Sequence, residues 1–262
     1  MRNRATLAKR IERVMLVPRQ PNRFHLQSPG PKRAMAQSEA QERLGRRALR
    51  RELRHVYWIG GGSGAGKSTI ACRLAAKHGL DVYSTDDAMA EHSRRGTTKD
   101  HPLLHEFMAM DMDERWLNRS PIKMLETFHW FRGEGFDLII EDLLRFPANR
   151  GVIAEGFRLL PHLVKPLLSN SEHGVWLLPT PEFREAAIEG RGGYGFLAKT
   201  SNPKEALQKL LERDRMFTDR LREEVERLEL CAIEMNTAMT ERDTLDVVMK
   251  ALAFPNRECC NI

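Results

Sequence analysis

The sequence predicts an α/β protein: a doubly wound, five-stranded parallel sheet with helices on both faces, preceded by a basic N-terminal extension. Three observations predict it. Five short apolar runs alternate with helical patterns, the first run leads through a glycine-rich loop into a helix, and two later runs end on acidic residues.

Val56-Tyr57-Trp58-Ile59 is the first strand, and residues 70–78 form the helix behind it, with Gly79 as its stop. Residues 80–85 read as a second short strand that ends on Asp86-Asp87. From 88 to 144 the pattern is helical, broken at Pro102 and Pro121. The third strand is 151–155, ending on Glu155. Leu138-Ile139-Ile140-Glu141-Asp142 competes for that role, but the gap from Asp142 to Val152 is too short for the crossover of a dozen or more residues that adjacent parallel strands need. Phe136, Ile140, Leu143 and Leu144 also fall at helical spacing, so that stretch is assigned to a helix. Val175-Trp176-Leu177-Leu178 is the fourth strand, followed by a helix over 182–189 and a flexible loop, Gly190-Arg191-Gly192-Gly193-Tyr194-Gly195. A long charged helix spans 203–228, the fifth strand 230–235 and a last helix 244–254.

The loop after the first strand reads Gly61-Gly62-Ser63-Gly64-Ala65-Gly66-Lys67-Ser68-Thr69. Gly61, Gly66, Lys67 and Ser68 meet the spacing G-x-x-x-x-G-K-[ST], with the strand before and the helix after that the motif needs. Glycines let successive backbone N–H groups turn toward one anion, and the new helix adds the positive end of its dipole. Lys67 would reach the β and γ phosphates of a nucleotide, and Ser68 would place its hydroxyl on Mg²⁺, with Thr69 as stand-in. A Rossmann dinucleotide site is excluded, because Lys67-Ser68 occupies the place where that fold packs small residues. Ligands of doubly wound sheets sit beyond the strand C-termini, where Lys67, Asp86 and Glu155 fall.

Composition is that of a globular protein of 262 residues, and no apolar run approaches the roughly 18 residues of a membrane span. The four cysteines, Cys72, Cys231, Cys259 and Cys260, show no C-x-x-C spacing and read as reduced thiols of a cytoplasmic protein, the first two in the core. The net charge of +6 is unevenly spread: residues 1–55 hold 15 Lys and Arg against 4 Asp and Glu, and the remainder holds 27 against 32. Basicity thus belongs to the extension, 1–55, and not to the domain at 56–262. Pro18, Pro21, Pro29 and Pro31 argue that 17–34 is extended or disordered. The extension reads as an arm for nucleic acid or acidic surfaces, as a targeting peptide, or as an artefact if translation starts at Met35.

With these residues in place, the chain resembles the P-loop kinases of the nucleoside and nucleotide kinase group from about residue 56 to 254. The resemblance rests on the phosphate loop, Ser84-Thr85-Asp86-Asp87, Ala154-Glu155-Gly156 and the Arg-rich helix before strand five. It implies the sheet order 2-3-1-4-5, an acceptor pocket built by the helical region 88–144, and an Arg-bearing lid, placed at 190–202. It also implies ATP and Mg²⁺, with transfer of the γ phosphate to a hydroxyl or phosphate of a small molecule. Asp86 becomes the general base or magnesium-water ligand, Asp87 second to it, and Glu155 the acid that holds magnesium through water or contacts the acceptor. Arg213 and Arg220 lie seven apart on one helix face and, with Arg191, are candidates to grip the γ phosphate. Competing readings stay open: Asp86 or Asp87 as a helix cap, a P-loop ATPase or GTPase switch, and a kinase acting on nucleic acid ends or sugar-nucleotides. Against the switch stand the helical stretch and the lack of N-K-x-D.

Overall fold

The computed structural model describes residues 43–254. Most of the basic extension, Met35 and both C-terminal cysteines lie outside the described residues. The elements are α1 (43–52), β1 (Val56–Gly61), α2 (Lys67–His78), β2 (Asp81–Ser84), α3 (Met89–Arg95), α4 (Pro102–Ala109), α5 (Met112–Trp116), α6 (Pro121–Thr127), α7 (Phe136–Leu143), β3 (Val152–Glu155), α8 (Pro161–Val164), β4 (Gly174–Pro179), α9 (Pro181–Glu189), α10 (Pro203–Arg227), β5 (Cys231–Met235) and α11 (Glu241–Ala251).

All five strands are parallel, in the order β2-β3-β1-β4-β5. The three inner strands, β1, β3 and β4, are buried along nearly their whole length because both faces are covered. Along β1, Val56 and Trp58 face one cluster, with Leu49 of α1, Leu53 just after it, Ile139 and Leu143 of α7, and Phe217 and Leu221 of α10. Ile59 faces the other, with Ile70 and Leu74 of α2 and Val248 and Met249 of α11. The last turns of the basic extension therefore pack onto the sheet. Leu138 to Asp142 is helical, with Phe136, Ile139, Ile140 and Leu143 on its buried side.

Cys72 and Cys231 are exposed, against the expectation that they belong to the core. Cys72 lies off the stripe of α2 formed by Ile70, Ala71, Leu74 and Ala75. Cys231 opens β5, the edge strand, where a side chain has a neighbouring strand on one side alone.

The parallel order reverses between β3 and β1, and Glu155 pairs in register with Ile59 of β1 and Ser84 of β2. This switch point opens the crevice where such sheets bind ligands. Gly156 lets the strand ends close on one another: its φ is 144°, and a Cβ there would stand 1.7 Å from Thr85 Oγ1.

Candidate active site

The phosphate loop leaves β1 at Gly61, whose φ of 128° and approach to the Leu177 carbonyl exclude a side chain. Gly66 caps α2 in the left-handed conformation, with no side-chain hydrogen bond and no acid in the first turn. The positive end of α2 is therefore left for an external anion. Lys67 is 6% exposed, and its Nζ donates to the Gly62 carbonyl at 2.7 Å. Burial pulls its pKa down, against the charges of Asp86 and Glu155 that push it up.

Ser68 Oγ donates to Glu155 Oε1 at 3.1 Å. Glu155 is 1% exposed, and its Oε2 is buried without a partner. Burial raises its pKa, partly offset by Lys67. A hydroxyl, a carboxylate with a spare oxygen and the nearby Asp86 are hard oxygen donors suited to magnesium, which keeps several waters and needs few protein ligands. The residues thus fit the cation, even though no group of three or more His, Cys, Asp or Glu is placed to hold a metal without the phosphates among the described residues.

A single cavity of about 450 Å³ runs from the phosphate loop into the helices that follow β2. Ser63 to Ser68 line it; Gly61, Gly62, Thr69 and Glu155 do not, and Glu155 contacts the loop through Ser68. Glu155 is accordingly no wall of the acceptor space. Asp86 does line the cavity, and Asp87 does not. Solvent reaches Asp86 through the mouth, but the surrounding protein raises its pKa, mainly by desolvation, with Lys67 opposing. Neither aspartate caps α3, because the N-cap falls on Ala88, which makes no side-chain bond.

The lid segment also reaches the loop. Arg191 lines the cavity, and its charge acts on Lys67. Tyr194 Oη lies 2.9 Å from Ser63 Oγ. Arg213 lines the same cavity. Its guanidinium sits over the rings of Phe128 at 4.8 Å, Phe131 at 5.1 Å and Trp116 at 5.3 Å, and pairs with Asp214 at 2.6 Å. Arg220 is exposed and faces a separate groove beside Leu160 and His162. Seven residues share a helix face yet lie about 10 Å apart along the axis, enough to move a side chain from one site to another.

Several site residues escape a reading of the sequence. Arg158 is 2% exposed and clamps three elements: Nη1 donates to the Thr85 carbonyl at 3.1 Å, Nη2 to the Gly135 carbonyl at 3.1 Å and to His92 Nδ1 at 2.9 Å, and the guanidinium lies 3.9 Å from the Trp130 ring centre. Burial lowers its pKa to about 10. Since Arg158 can only donate, His92 Nδ1 accepts, and Nε2 donates to Asp142 Oδ2 at 2.7 Å. Tyr83 and Arg95 also bind Asp142. Arg184, likewise 2% exposed, donates to the Ser63 carbonyl and to Thr218. The signal for Arg158 was its place three residues after Glu155; nothing in the sequence marked Arg184 or Asp214.

No family model matches the chain. Among curated proteins it is similar to a 2-phosphoglycerate kinase of Methanocaldococcus jannaschii, with 29% identity over 182 residues, 67% of this chain and 55% of that one. The chain thus spans about half the length of that relative. Among solved structures it is similar to deoxyadenosine kinase from M. mycoides with bound dATP, at 12% identity and a TM-score of 0.42, covering 76% of this chain and 98% of that one. A second is an uncharacterized protein from Eubacterium ventriosum, at 16% identity and a TM-score of 0.37, covering 76% and 97%. The chain itself has an α/β fold with five parallel strands in the order β2-β3-β1-β4-β5 and a phosphate loop between β1 and α2. Among the described residues, no helix is long and apolar enough to cross a membrane.

Proposed function

We propose that the protein is an ATP-dependent phosphotransferase that moves the γ phosphate to a hydroxyl of a small molecule. The observation that carries this reading is one cavity shared by Lys67 and Asp86, with the phosphate loop at one part and a wall of helices at another. A P-loop switch that only hydrolyses nucleotide has no need for that second compartment.

In this reading the triphosphate lies on residues 63–68 of the loop, against its amides and the N-terminus of α2. Ser68, with Glu155 or Asp86, would hold magnesium, which would neutralise phosphate charge. Asp86 orients the acceptor hydroxyl and takes its proton as the acceptor oxygen bonds to the γ phosphorus and the bridging oxygen leaves with the diphosphate. Lys67 and Arg191 meet the charge spread over the transferring oxygens. The segment carrying Tyr194 closes over Ser63 and keeps out water that would otherwise consume ATP.

The test is transfer of γ-labelled phosphate from ATP to members of a metabolite library by the full chain and by Lys67→Ala. Labelled product from the full chain alone supports the reading. Phosphate release that no acceptor stimulates would favour the switch.

A further inference from the structure

We infer that α1 carries a second binding surface, apart from the cavity, whose partner is the phosphate backbone of duplex nucleic acid. Arg43, Arg46, Arg47, Arg50 and Arg51 stand at i, i+3, i+4, i+7 and i+8 of α1, which places them on one face of the helix. Arg54 prolongs the stripe, because the helical hydrogen bond from Leu53 N to the Leu49 carbonyl, at 2.9 Å, carries the turn onward. All six arginines are exposed. Leu49 and Leu53 are buried against the sheet, so the packing that fixes the helix also holds the stripe toward solvent.

The stripe is locally unbalanced in charge. Glu52, 3.7 Å from Arg51, is the one acid between residues 43 and 55. Arg43 and Arg47, Arg46 and Arg50, Arg47 and Arg51, and Arg50 and Arg54 are like charges four residues apart, a spacing that opposes the helix. A polyanion laid along this face relieves that repulsion. Residues 1–42, with nine Lys and Arg against three acids, enter through the same helix, whereas residues 56–262 hold more acids than bases. Attraction for a polyanion is therefore confined to this side of the chain.

The residue types select the partner. The stripe is built of arginine throughout, and the planar guanidinium grips phosphate oxygens in pairs where lysine offers a point charge. From Arg43 to Arg54 it runs about 16 Å at 1.5 Å per residue, and a duplex of that length presents about ten phosphates. Single strands are held by aromatic side chains on which bases stack, and residues 43–54 contain none. A helix lying in a membrane surface sinks an apolar face into lipid; here Leu44 is the single large apolar side chain left exposed. None of the six arginines lines the cavity, and α1 leads into the N-terminal end of β1, whereas Lys67 and Asp86 lie past strand C-termini. The bound duplex is accordingly not the phosphate acceptor, and this inference does not depend on the phosphotransferase reading.

The test is fluorescence anisotropy of a labelled duplex of about 20 base pairs titrated with the full chain from about 50 to 200 mM KCl, where log K falls by about 0.9 per engaged phosphate for each decade of salt. One full-length variant combines Arg43→Gln, Arg47→Gln and Arg51→Gln. A second combines Arg10→Gln, Arg13→Gln and Arg19→Gln and removes the same charge from the extension. The α1 variant is expected to bind about tenfold or more weakly at 50 mM KCl, with a salt slope shallower by about 2–3, and the extension variant to lose about threefold or less. Both variants should bind a non-hydrolysable ATP analogue as the unaltered chain does, which shows that they fold. Equal losses in the two variants, or none in the α1 variant, overturn the inference. So do three results with the unaltered chain alone, which decide the matter if the α1 variant does not fold: no saturation by the duplex, tighter binding of the single strand or of phosphatidylserine vesicles than of the duplex, or displacement of the duplex by the ATP analogue.

Discussion

Ser68 Oγ lies 3.1 Å from one oxygen of Glu155, and the other oxygen of that carboxylate is buried with no partner. Burial without full hydrogen bonding makes the ionised form costly, which is why the pKa of Glu155 is raised. Replacing it by the neutral isostere should trade activity for stability. Glu155→Gln is expected to raise Tm by about 3 °C, the equivalent of about 1 kcal/mol in a domain of this size. The same variant should need at least tenfold more Mg²⁺ for half-maximal phosphate transfer. A lower Tm with unchanged magnesium dependence would contradict the assignment.

As the base of the proposed transfer, Asp86 should give the pH profile its acid side. Its pKa is raised by desolvation, and only the ionised form can take a proton from the acceptor. Activity should therefore fall with decreasing pH at values above the ordinary carboxylate range near 4. Asp86→Asn should lose that limb together with about 10²–10³ of kcat, the scale of a missing general base, while ATP binds as before. Steady-state rates from pH 4 to 9 for both proteins measure this.

Lys67→Ala removes the one buried ammonium beside Asp86 and Glu155. Loss of about 10³ or more in kcat is expected, as for other charges aimed at a transition state. Full turnover in this variant, followed by coupled assay of ADP, would refute the phosphate role of the loop.

Gly156→Ala places a methyl where Thr85 Oγ1 stands, at a φ of 144°. Both the clash and the backbone strain act against it, and a loss of about 3 kcal/mol is expected from urea unfolding. Asp86 follows Thr85 directly, so activity of the folded fraction should fall as well.

Asp142 tests the network behind the acceptor wall. Burial alone would raise its pKa, but hydrogen bonds from His92, Arg95 and Tyr83 hold it well below the usual carboxylate range. A folded pKa below the unfolded one contributes stability that is present above about pH 4 and is lost as pH falls through the folded value. Asp142→Ala should cost about 3 kcal/mol at pH 7 and flatten the acid side of the stability curve. Chemical denaturation at a series of pH values reads both effects.

Much of the fold is legible in the residues themselves. The strand at Val152 and the helix over Leu138 to Asp142 are separable because parallel strands need a crossover and because apolar spacing differs between helix and strand. The exposure of Cys72 and Cys231 was misread, since a small apolar side chain carries no mark of which side of its element meets the sheet.

By itself, the sequence determined the phosphate loop, the parallel α/β order of elements and the acids that end strands two and three, because these follow from local backbone geometry and short-range spacing. Tertiary structure alone decided what faces the loop. Arg213 stands among Phe128, Phe131 and Trp116, Arg158 joins Thr85 to Gly135 and His92, and Glu155 accepts from Ser68. The partners in each case are tens of residues apart, and no periodicity encodes such meetings. Only the crossing of the sheet's switch point by separate helices brings them within contact, and burial there sets their charges.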